Sequence, residues 1–187
     1  MKQAKTHPPT FFMLTTAFGP VAVFWSLYGG APKIGQILIS NPKISAQEAV
    51  EKFFPDAVAS SCEEIDSLVD QIGALLNGAD IQFPLDAVRL DLCSPFQQQV
   101  LRADHAIPRG SVSTYRLIAE QTGNPRGARA VGTAQATNPF PIVIPCHRVI
   151  RSDGALGGYG GGTEMKRRLL EREGVVIKKR AGLLYGF

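Results

Sequence analysis

The sequence predicts an α+β fold: an N-terminal α/β domain with a small antiparallel sheet, and a C-terminal, mostly helical domain of winged helix-turn-helix character. Strand-like apolar runs separated by glycine turns fall near the N-terminus, whereas short helical patterns dominate the second half. The net charge also changes sign between the halves. We therefore place a domain boundary after residue 88, which gives an N-terminal support domain over residues 1–88 and a second domain over residues 89–187.

The first predicted elements are strands. Residues 1–10 read as a disordered tail, and residues 21–25 and 34–39 are apolar runs of the kind found in buried strands. Gly29 and Gly30 between them favour a turn, so we predict a hairpin or meander.

Two helices follow the strands. The first starts at Ser45, because the stretch from Ser45 to Glu48 has the S-x-x-E form of a capping box, and Pro55 ends it. The second covers the apolar residues at helical spacing from Ile65 to Leu76, and Asn77-Gly78 ends it. This half of the chain predicts packing and no chemistry.

Residues 79–92 read as an extended connector with strand-like alternation. Ser94 and Pro95 then fit an N-cap followed by proline at the first helical position, which predicts a helix over residues 96–106.

Two short amphipathic segments come next, over residues 113–120 and 126–136, joined by a turn at residues 123–125. This spacing is typical of a helix-turn-helix. The second segment is rich in small residues, which would let a helix lie close to a nucleic-acid groove. The alternative is a helical hairpin packed within the core.

The charge distribution favours the nucleic-acid interpretation. Residues 1–88 carry 5 basic and 9 acidic side chains, whereas residues 89–187 carry 15 basic and 7 acidic ones. A basic half beside an acidic half indicates that only one half meets a polyanion. On charge alone, a solvated basic face without a partner is an equal alternative.

The stretch over residues 142–150 is apolar except for Cys146, His147 and Arg148. We predict a buried strand that stops at Pro145, since proline cannot donate to a ladder. The thiolate is the nucleophilic form of cysteine, and a neighbouring imidazole or cation lowers the thiol pKa. We therefore expect an activated thiol at Cys146.

Three cysteines without a C-x-x-C pair argue against a disulfide scaffold and for a reducing, cytoplasmic location. The three histidines are scattered, so we predict no metal site. No apolar span reaches 18 residues, so we predict no contact with a membrane.

The chain after the cysteine is rich in glycine. Residues 152–162 predict a flexible loop in which Tyr159 could stack on a planar substrate. Thr163 can cap a final helix over residues 164–173, and Gly174 ends it.

These motifs together resemble the O6-alkylguanine-DNA alkyltransferases, also called methylated-DNA–protein-cysteine methyltransferases. The segment from Pro145 to Val149 looks like the active-site motif of that family. The resemblance is strong over residues 93–175 and loose before it. The other matching positions are Tyr115, Arg129-Ala130-Val131-Gly132, Asn138-Pro139, the loop from Gly154 to Gly162, and Glu173-Gly174.

The resemblance implies DNA repair by direct, irreversible transfer of the alkyl group from O6-alkylguanine in duplex DNA to Cys146, once per molecule. It gives His147 the role of general base, acting through a water, and Glu173 that of orienting the imidazole. Tyr115 would donate a proton to the departing guanine and Asn138 would stabilise the turn. No cofactor is implied, and we expect a monomer.

The helix-turn-helix would dock in the minor groove, and Arg129 would fill the gap left by a flipped base. The residues that we assign to the DNA-binding surface are Thr114, Tyr115, Arg126, Arg129, Ala130, Gly132 and Gln135. Those assigned to the base pocket are Val149, Gly157, Tyr159 and Gly160. Gly160 departs from the family, whose loop often carries a serine there.

Two alternatives of other classes stay open. A binding module would recognise the lesion without reacting, although relatives of that kind replace the cysteine. A Cys–His hydrolase would need an oxyanion hole and a turnover step, and the sequence marks neither.

Overall fold

The computed structural model describes residues 8–180 and 183–186, with side chains from residue 8 to residue 178. Residues 1–7 of the segment predicted to be disordered lie outside the described residues. The fold is α+β, as predicted, with a small mixed sheet and helices that dominate the second half.

The N-terminal sheet has the strand order β3-β2-β1-β4. The first three strands form the predicted antiparallel meander, and β4 pairs in parallel with β1. Strand β1 begins at Thr10, so the prediction of a disordered tail is wrong for that residue, which pairs with Trp25 in the sheet; the rest of β1 lies in residues that the sequence pattern left unassigned. The bounds are β1 Thr10–Thr16, β2 Gly19–Tyr28, β3 Ala31–Ile39 and β4 Val58–Ala59.

Both N-terminal helices are confirmed. Helix α1 is Ala46–Phe53, and its capping box is complete: the Glu48 amide donates to Ser45 Oγ at 3.1 Å, and the Ser45 amide donates to Glu48 Oε2 at 2.8 Å. Helix α2 is Glu63–Leu76, and its buried face, which includes Ile65 and Ile72, packs against the sheet.

The connector differs from the predicted extended strand. It forms two short 3₁₀ turns, Leu85–Ala87 and Leu90–Leu92, and touches the sheet at one bridge, Ile34 to Val88. The apolar alternation reflects side chains that turn alternately toward the core, which a turn can achieve as well as a strand.

Within the described residues, the second half contains four α-helices. Helix α3 begins as predicted, because Ser94 Oγ accepts a hydrogen bond from the Gln97 amide at 3.3 Å and Pro95 is the first helical residue. Helix α6 begins one residue earlier than predicted, so Gly162 rather than Thr163 is its N-cap. The bounds are α3 Pro95–His105, α4 Tyr115–Gln121, α5 Ala128–Ala136 and α6 Thr163–Arg172.

Four short strands complete the second half. Strands β5 Ser113–Thr114 and β6 Val149–Ile150 pair in parallel, and β7 Ile177–Arg180 and β8 Leu183–Gly186 form an antiparallel hairpin. The winged character of the helix-turn-helix stays a prediction. Among the described residues, no helix combines the length and apolarity needed to cross a bilayer.

One hydrophobic cluster contains residues of both halves, for example Val21 and Leu101, and several polar contacts also join them. The Arg109 guanidinium donates to the carbonyls of Gly78 at 2.8 Å and Ala79 at 3.2 Å, and Arg172 donates to the Leu76 carbonyl. These cations lie at the C-terminal end of α2, where carbonyls lack helical partners and the helix dipole favours positive charge. The boundary after residue 88 stays a prediction.

Candidate active site

The segment around Cys146 is a buried loop rather than the predicted strand. Ile142 has a φ of +77°, Cys146–Arg148 form a 3₁₀ turn, and pairing resumes only at Val149–Ile150. Ile142 and Ile144 are almost fully buried. An apolar run surrounded by protein on all sides does not distinguish a strand from a buried loop.

Asn138 fixes this loop through both ends of its amide. Its Nδ2 donates to the Ile144 carbonyl at 3.2 Å and lies 3.3 Å from Cys146 Sγ, while its Oδ1 accepts from the Phe140 amide at 2.9 Å. The side chain is therefore placed to support the turn, the role predicted for it. It also contacts the thiol, which the sequence did not predict.

The Cys146 thiol is only 8% exposed. Burial raises its pKa to about 11, and the Asp104 carboxylate adds to this, against the hydrogen bond from Asn138 and the charge of Lys166. The expectation of a lowered thiol pKa is therefore wrong for the resting protein, because burial outweighs the neighbouring donor and cation. A proton must leave the sulfur before or during any attack.

His147 and Glu173 form the buried pair that the sequence predicts. His147 Nε2 lies 2.9 Å from Glu173 Oε1, and burial lowers the pKa of the imidazole. A carboxylate only accepts hydrogen bonds, so Nε2 carries the proton and Nδ1 keeps the lone pair. Nδ1 is buried and has no hydrogen-bond partner among the described residues, so it can accept a proton.

Arg148 completes this network through contacts that were not predicted from the sequence. Its Nε and Nη2 each donate to Glu173 at 2.9 Å, and its Nη1 donates to the Ile107 carbonyl at 2.7 Å. Burial raises the pKa of Glu173, but the hydrogen bonds from His147 and Arg148 outweigh it and bring the pKa to about 2. Glu173 is therefore ionised and orients both partners.

Cys146 opens onto a cavity of about 380 Å³, within the size range of small-molecule sites. The wall combines the thiol with residues of α4, α5 and the glycine-rich loop. The lining residues are Tyr115, Gly132, Gln135, Ala136, Cys146, Gly158, Tyr159 and Gly160.

Two of the four predicted pocket residues, Tyr159 and Gly160, line this cavity. Gly157 instead lies against Tyr115: a Cβ at Gly157 would come 2.8 Å from the Tyr115 hydroxyl oxygen. Val149 packs into the hydrophobic cluster of α3, α4 and α5. At Gly160 a Cβ would make only an ordinary contact, 3.7 Å from Ile39 Cδ1, so the serine common in the family would fit there.

Lys166 is a part of the site that the sequence analysis did not identify. Its side chain is fully buried, and Nζ donates to the carbonyls of Val149 at 2.6 Å and Gly158 at 3.3 Å. It thereby ties the glycine-rich loop to the strand after the cysteine. Its burial could have been predicted from its spacing, because Lys166 stands three and four residues before Leu169 and Leu170 on the buried face of α6.

The predicted DNA-binding residues separate into two groups. Arg126, Arg129 and Ala130 are exposed around the start of α5, and Arg129 borders a second groove of about 500 Å³ together with Tyr115. The remaining members, which lie partly or fully inward, are Thr114, Tyr115, Gly132 and Gln135. Thr114 caps α4, since its Oγ1 accepts from the Leu117 amide at 3.2 Å.

Comparison with known proteins supports the family resemblance. Residues 95–175 match the family model described as 6-O-methylguanine DNA methyltransferase, DNA binding domain. Over 131 residues the chain is 45% identical to the methylated-DNA–protein-cysteine methyltransferase of Methanothermobacter thermautotrophicus, covering 70% of this chain and 72% of the relative. The protein of that name from Mycobacterium leprae is 49% identical over 106 residues, 56% of this chain and 62% of its own.

The fold has solved counterparts as well. The crystal structure of Mycobacterium tuberculosis OGT in complex with DNA is similar, with a TM-score of 0.69 and 32% identity, over 88% of this chain and 93% of that one. Sequence identity and fold therefore agree with the resemblance carried by the cysteine motif, and the chain belongs to the methylated-DNA–protein-cysteine methyltransferase family.

Proposed function

We propose that this chain repairs DNA by transferring the alkyl group of O6-alkylguanine in duplex DNA directly and irreversibly to Cys146. The observation that carries the proposal is a thiol at the wall of a cavity, beside a buried imidazole whose free nitrogen can accept a proton. One relative of known structure was crystallised with DNA, which supports DNA as the partner. Action as a monomer is part of this proposal.

The reaction exchanges one bond for another. Sγ of Cys146 forms a bond to the alkyl carbon while the bond from that carbon to guanine O6 breaks. The thiol proton passes to His147 Nδ1 through a water, and Glu173 stabilises the imidazolium that results. Burial raises the pKa of the Tyr115 hydroxyl, so this group is protonated at neutral pH and can donate to the guanine as the bond from O6 to the alkyl carbon breaks. The tyrosinate then takes up a proton from solvent and the imidazolium releases one, so the protons balance.

The products explain why the protein would act once. The sulfur ends as a thioether, and the guanine stays in the DNA strand with a proton in place of the alkyl group. No residue of the described cavity supplies a second nucleophile to release the group, so the acceptor is consumed.

Access to the alkyl carbon requires the nucleotide to leave the base stack, at a cost of a few kcal/mol. The exposed cations around α5 would offset this cost through phosphate contacts. Arg129 lies next to the groove that Tyr115 borders and could occupy the space that the base vacates.

The stoichiometry of transfer tests the proposal. Incubation with a duplex that carries radiolabelled O6-methylguanine should place at most one methyl group on each protein molecule, at Cys146, as located by peptide mass spectrometry. Release of more than one methyl group per protein would indicate a hydrolase instead. Tight binding of lesion DNA without label on the protein would indicate a binding module.

Replacement of Arg129 by alanine tests the flipping role. We expect transfer from duplex O6-methylguanine to slow by about tenfold or more, since a loss of about 1.4 kcal/mol has that effect. Reaction with free O6-benzylguanine, which needs no flipping, should change by less than about twofold because Arg129 lies outside the cavity wall.

The matched control for this variant is Arg126→Ala, which removes an exposed cation from the same segment. Its loss with duplex substrate should be smaller and should fall with added salt, as expected for a phosphate contact. Equal losses of Arg129→Ala on duplex and free base would reject the flipping role.

A further inference from the structure

A buried carboxyl group lies beside the cavity, and the proposed reaction does not use it. Asp104 is fully buried on α3. Its Oδ1 accepts a hydrogen bond from Gln135 Nε2 at 2.7 Å, whereas its Oδ2 is buried without a partner among the described residues. A buried polar atom without a partner costs stability, so packing gives no reason for a carboxyl group at this position.

Gln135 connects this carboxyl group to the cavity. Its side chain is only 8% exposed, yet it lines the cavity that holds Cys146. Because a carboxylate only accepts hydrogen bonds, Asp104 holds the nitrogen end of the Gln135 amide. No described residue donates to the oxygen end of this amide, so Oε1 is the polar atom that Gln135 can offer to a ligand.

The hydrogen-bond donors of the flipped base determine which of its groups could bind Gln135 Oε1. Alkylation at O6 leaves N1 of guanine without a hydrogen, so the 2-amino group is the remaining hydrogen-bond donor on the base edges. An O4-alkylthymine has no N–H donor on its ring. An acceptor in the pocket wall therefore distinguishes O6-alkylguanine from lesions that lack an amino group.

We propose that Gln135, oriented by Asp104, accepts a hydrogen bond from the 2-amino group of the flipped base and so selects alkylated guanine over alkylated bases without that group. This inference rests on the proposed function. Gln135 is the residue that contacts the base, and Asp104 is a positioning residue that acts through it.

The protonation state of Asp104 gives the arrangement a recognisable pH dependence. Burial raises its pKa to about 7, against the hydrogen bond from Gln135 and the charge of Lys166. The titratable groups close enough to couple to Asp104 are Lys166 on α6, Tyr115 on α4 and Cys146 in the 3₁₀ turn. Once protonated, Asp104 can donate to the Gln135 oxygen, and the amide is free to turn its nitrogen to the cavity.

The test compares two duplexes that differ by one amino group, one with O6-methylguanine and the other with O6-methylhypoxanthine. At pH 8 the wild-type protein should react about 3 to 10 times faster with O6-methylguanine, the range expected for one net hydrogen bond. The preference should decline toward pH 6. Ionisation of the thiol affects both substrates alike and cancels in this ratio.

Two variants locate the effect. Gln135→Leu should reduce the preference to below about twofold at every pH, mainly through slower reaction with O6-methylguanine. Asp104→Asn should reduce it as well and remove its pH dependence, while Lys166 and Tyr115 remain in place. Gln47→Leu, the same replacement at an exposed position on α1, should keep the wild-type preference and its pH dependence.

Each outcome has a clear meaning. The inference would be overturned by equal wild-type rates on the two duplexes, or by a preference that survives in Gln135→Leu. The first comparison uses the wild-type protein alone, so it does not depend on whether a variant folds. Failure of the wild-type protein to react with either duplex would instead overturn the proposed function, and the inference with it.

Discussion

Replacement of Cys146 by alanine should abolish alkyl transfer and leave binding of lesion DNA intact. The sulfur is the acceptor of the alkyl group, so its removal should slow transfer by more than about 10⁴-fold, as expected when a nucleophile is lost. The change removes one buried sulfur atom, which lies 3.3 Å from Asn138 Nδ2. The free energy of unfolding should therefore fall by only on the order of 1 kcal/mol. Single-turnover transfer of labelled methyl and fluorescence anisotropy with lesion DNA measure the two properties.

Cys93→Ala is the matched control for this experiment. Cys93 is also buried and free, and burial raises its pKa too. Its replacement should leave both the rate and the extent of transfer unchanged within about twofold, since it lies outside the cavity wall. Measurable transfer by Cys146→Ala, or an equally large loss in Cys93→Ala, would contradict the assignment of the acceptor.

The parts of the fold that follow local rules could be predicted from the sequence. The capping box at Ser45 and the proline after Ser94 act within one helical turn, so the residues themselves determine where α1 and α3 begin. The pairing of His147 with Glu173 was reached through the family resemblance, because 26 residues separate them and no local rule connects them.

The parts that depend on burial were harder to predict. The loop of Cys146 reads as a strand, since its apolar residues are buried by the surrounding protein rather than by an alternating sheet face. Asp104 stands three and four residues after Leu101 and Val100, so helical spacing places it on the buried face of α3. No hydrogen-bond partner for Asp104 could be identified from the sequence. Gln135 contacts it only because α3 packs against α5.

Glu173 compensates a buried positive charge and orients the proposed base. Its carboxylate is the only anion that contacts the buried Arg148 guanidinium within the described part of the chain, and it also holds the Nε2 proton of His147. Removal of one partner from a buried ion pair leaves the other charge uncompensated. Stability and reactivity should therefore fall together when this carboxylate is replaced.

Glu173→Gln should destabilise the protein by about 3 to 5 kcal/mol, the cost of an uncompensated buried charge. The neutral amide can accept from one partner, but its NH₂ group must then face a second donor of Arg148 or His147. Transfer should slow by about 10² to 10⁴-fold in the fraction that stays folded, because the base loses its fixed tautomer and its anion. Urea denaturation and single-turnover transfer measure the two losses.

Glu164→Gln provides the control, at the other end of helix α6, which ends directly before Glu173. Glu164 is exposed and pairs with Arg167 at the surface, so this variant should change the free energy of unfolding by less than about 0.5 kcal/mol.

The pH dependence of stability separates the effect of the lost charge from that of lost packing. The pKa of Glu173 is about 2 in the folded chain and about 4.3 in an unfolded one. Its ionic contribution is therefore complete above about pH 5 and is lost as the pH falls toward 2. The stability difference between wild type and Glu173→Gln should be constant from about pH 5 to pH 8 and should narrow below about pH 4. A difference that stays constant down to about pH 2 would show that lost packing, rather than the lost charge, destabilises the variant.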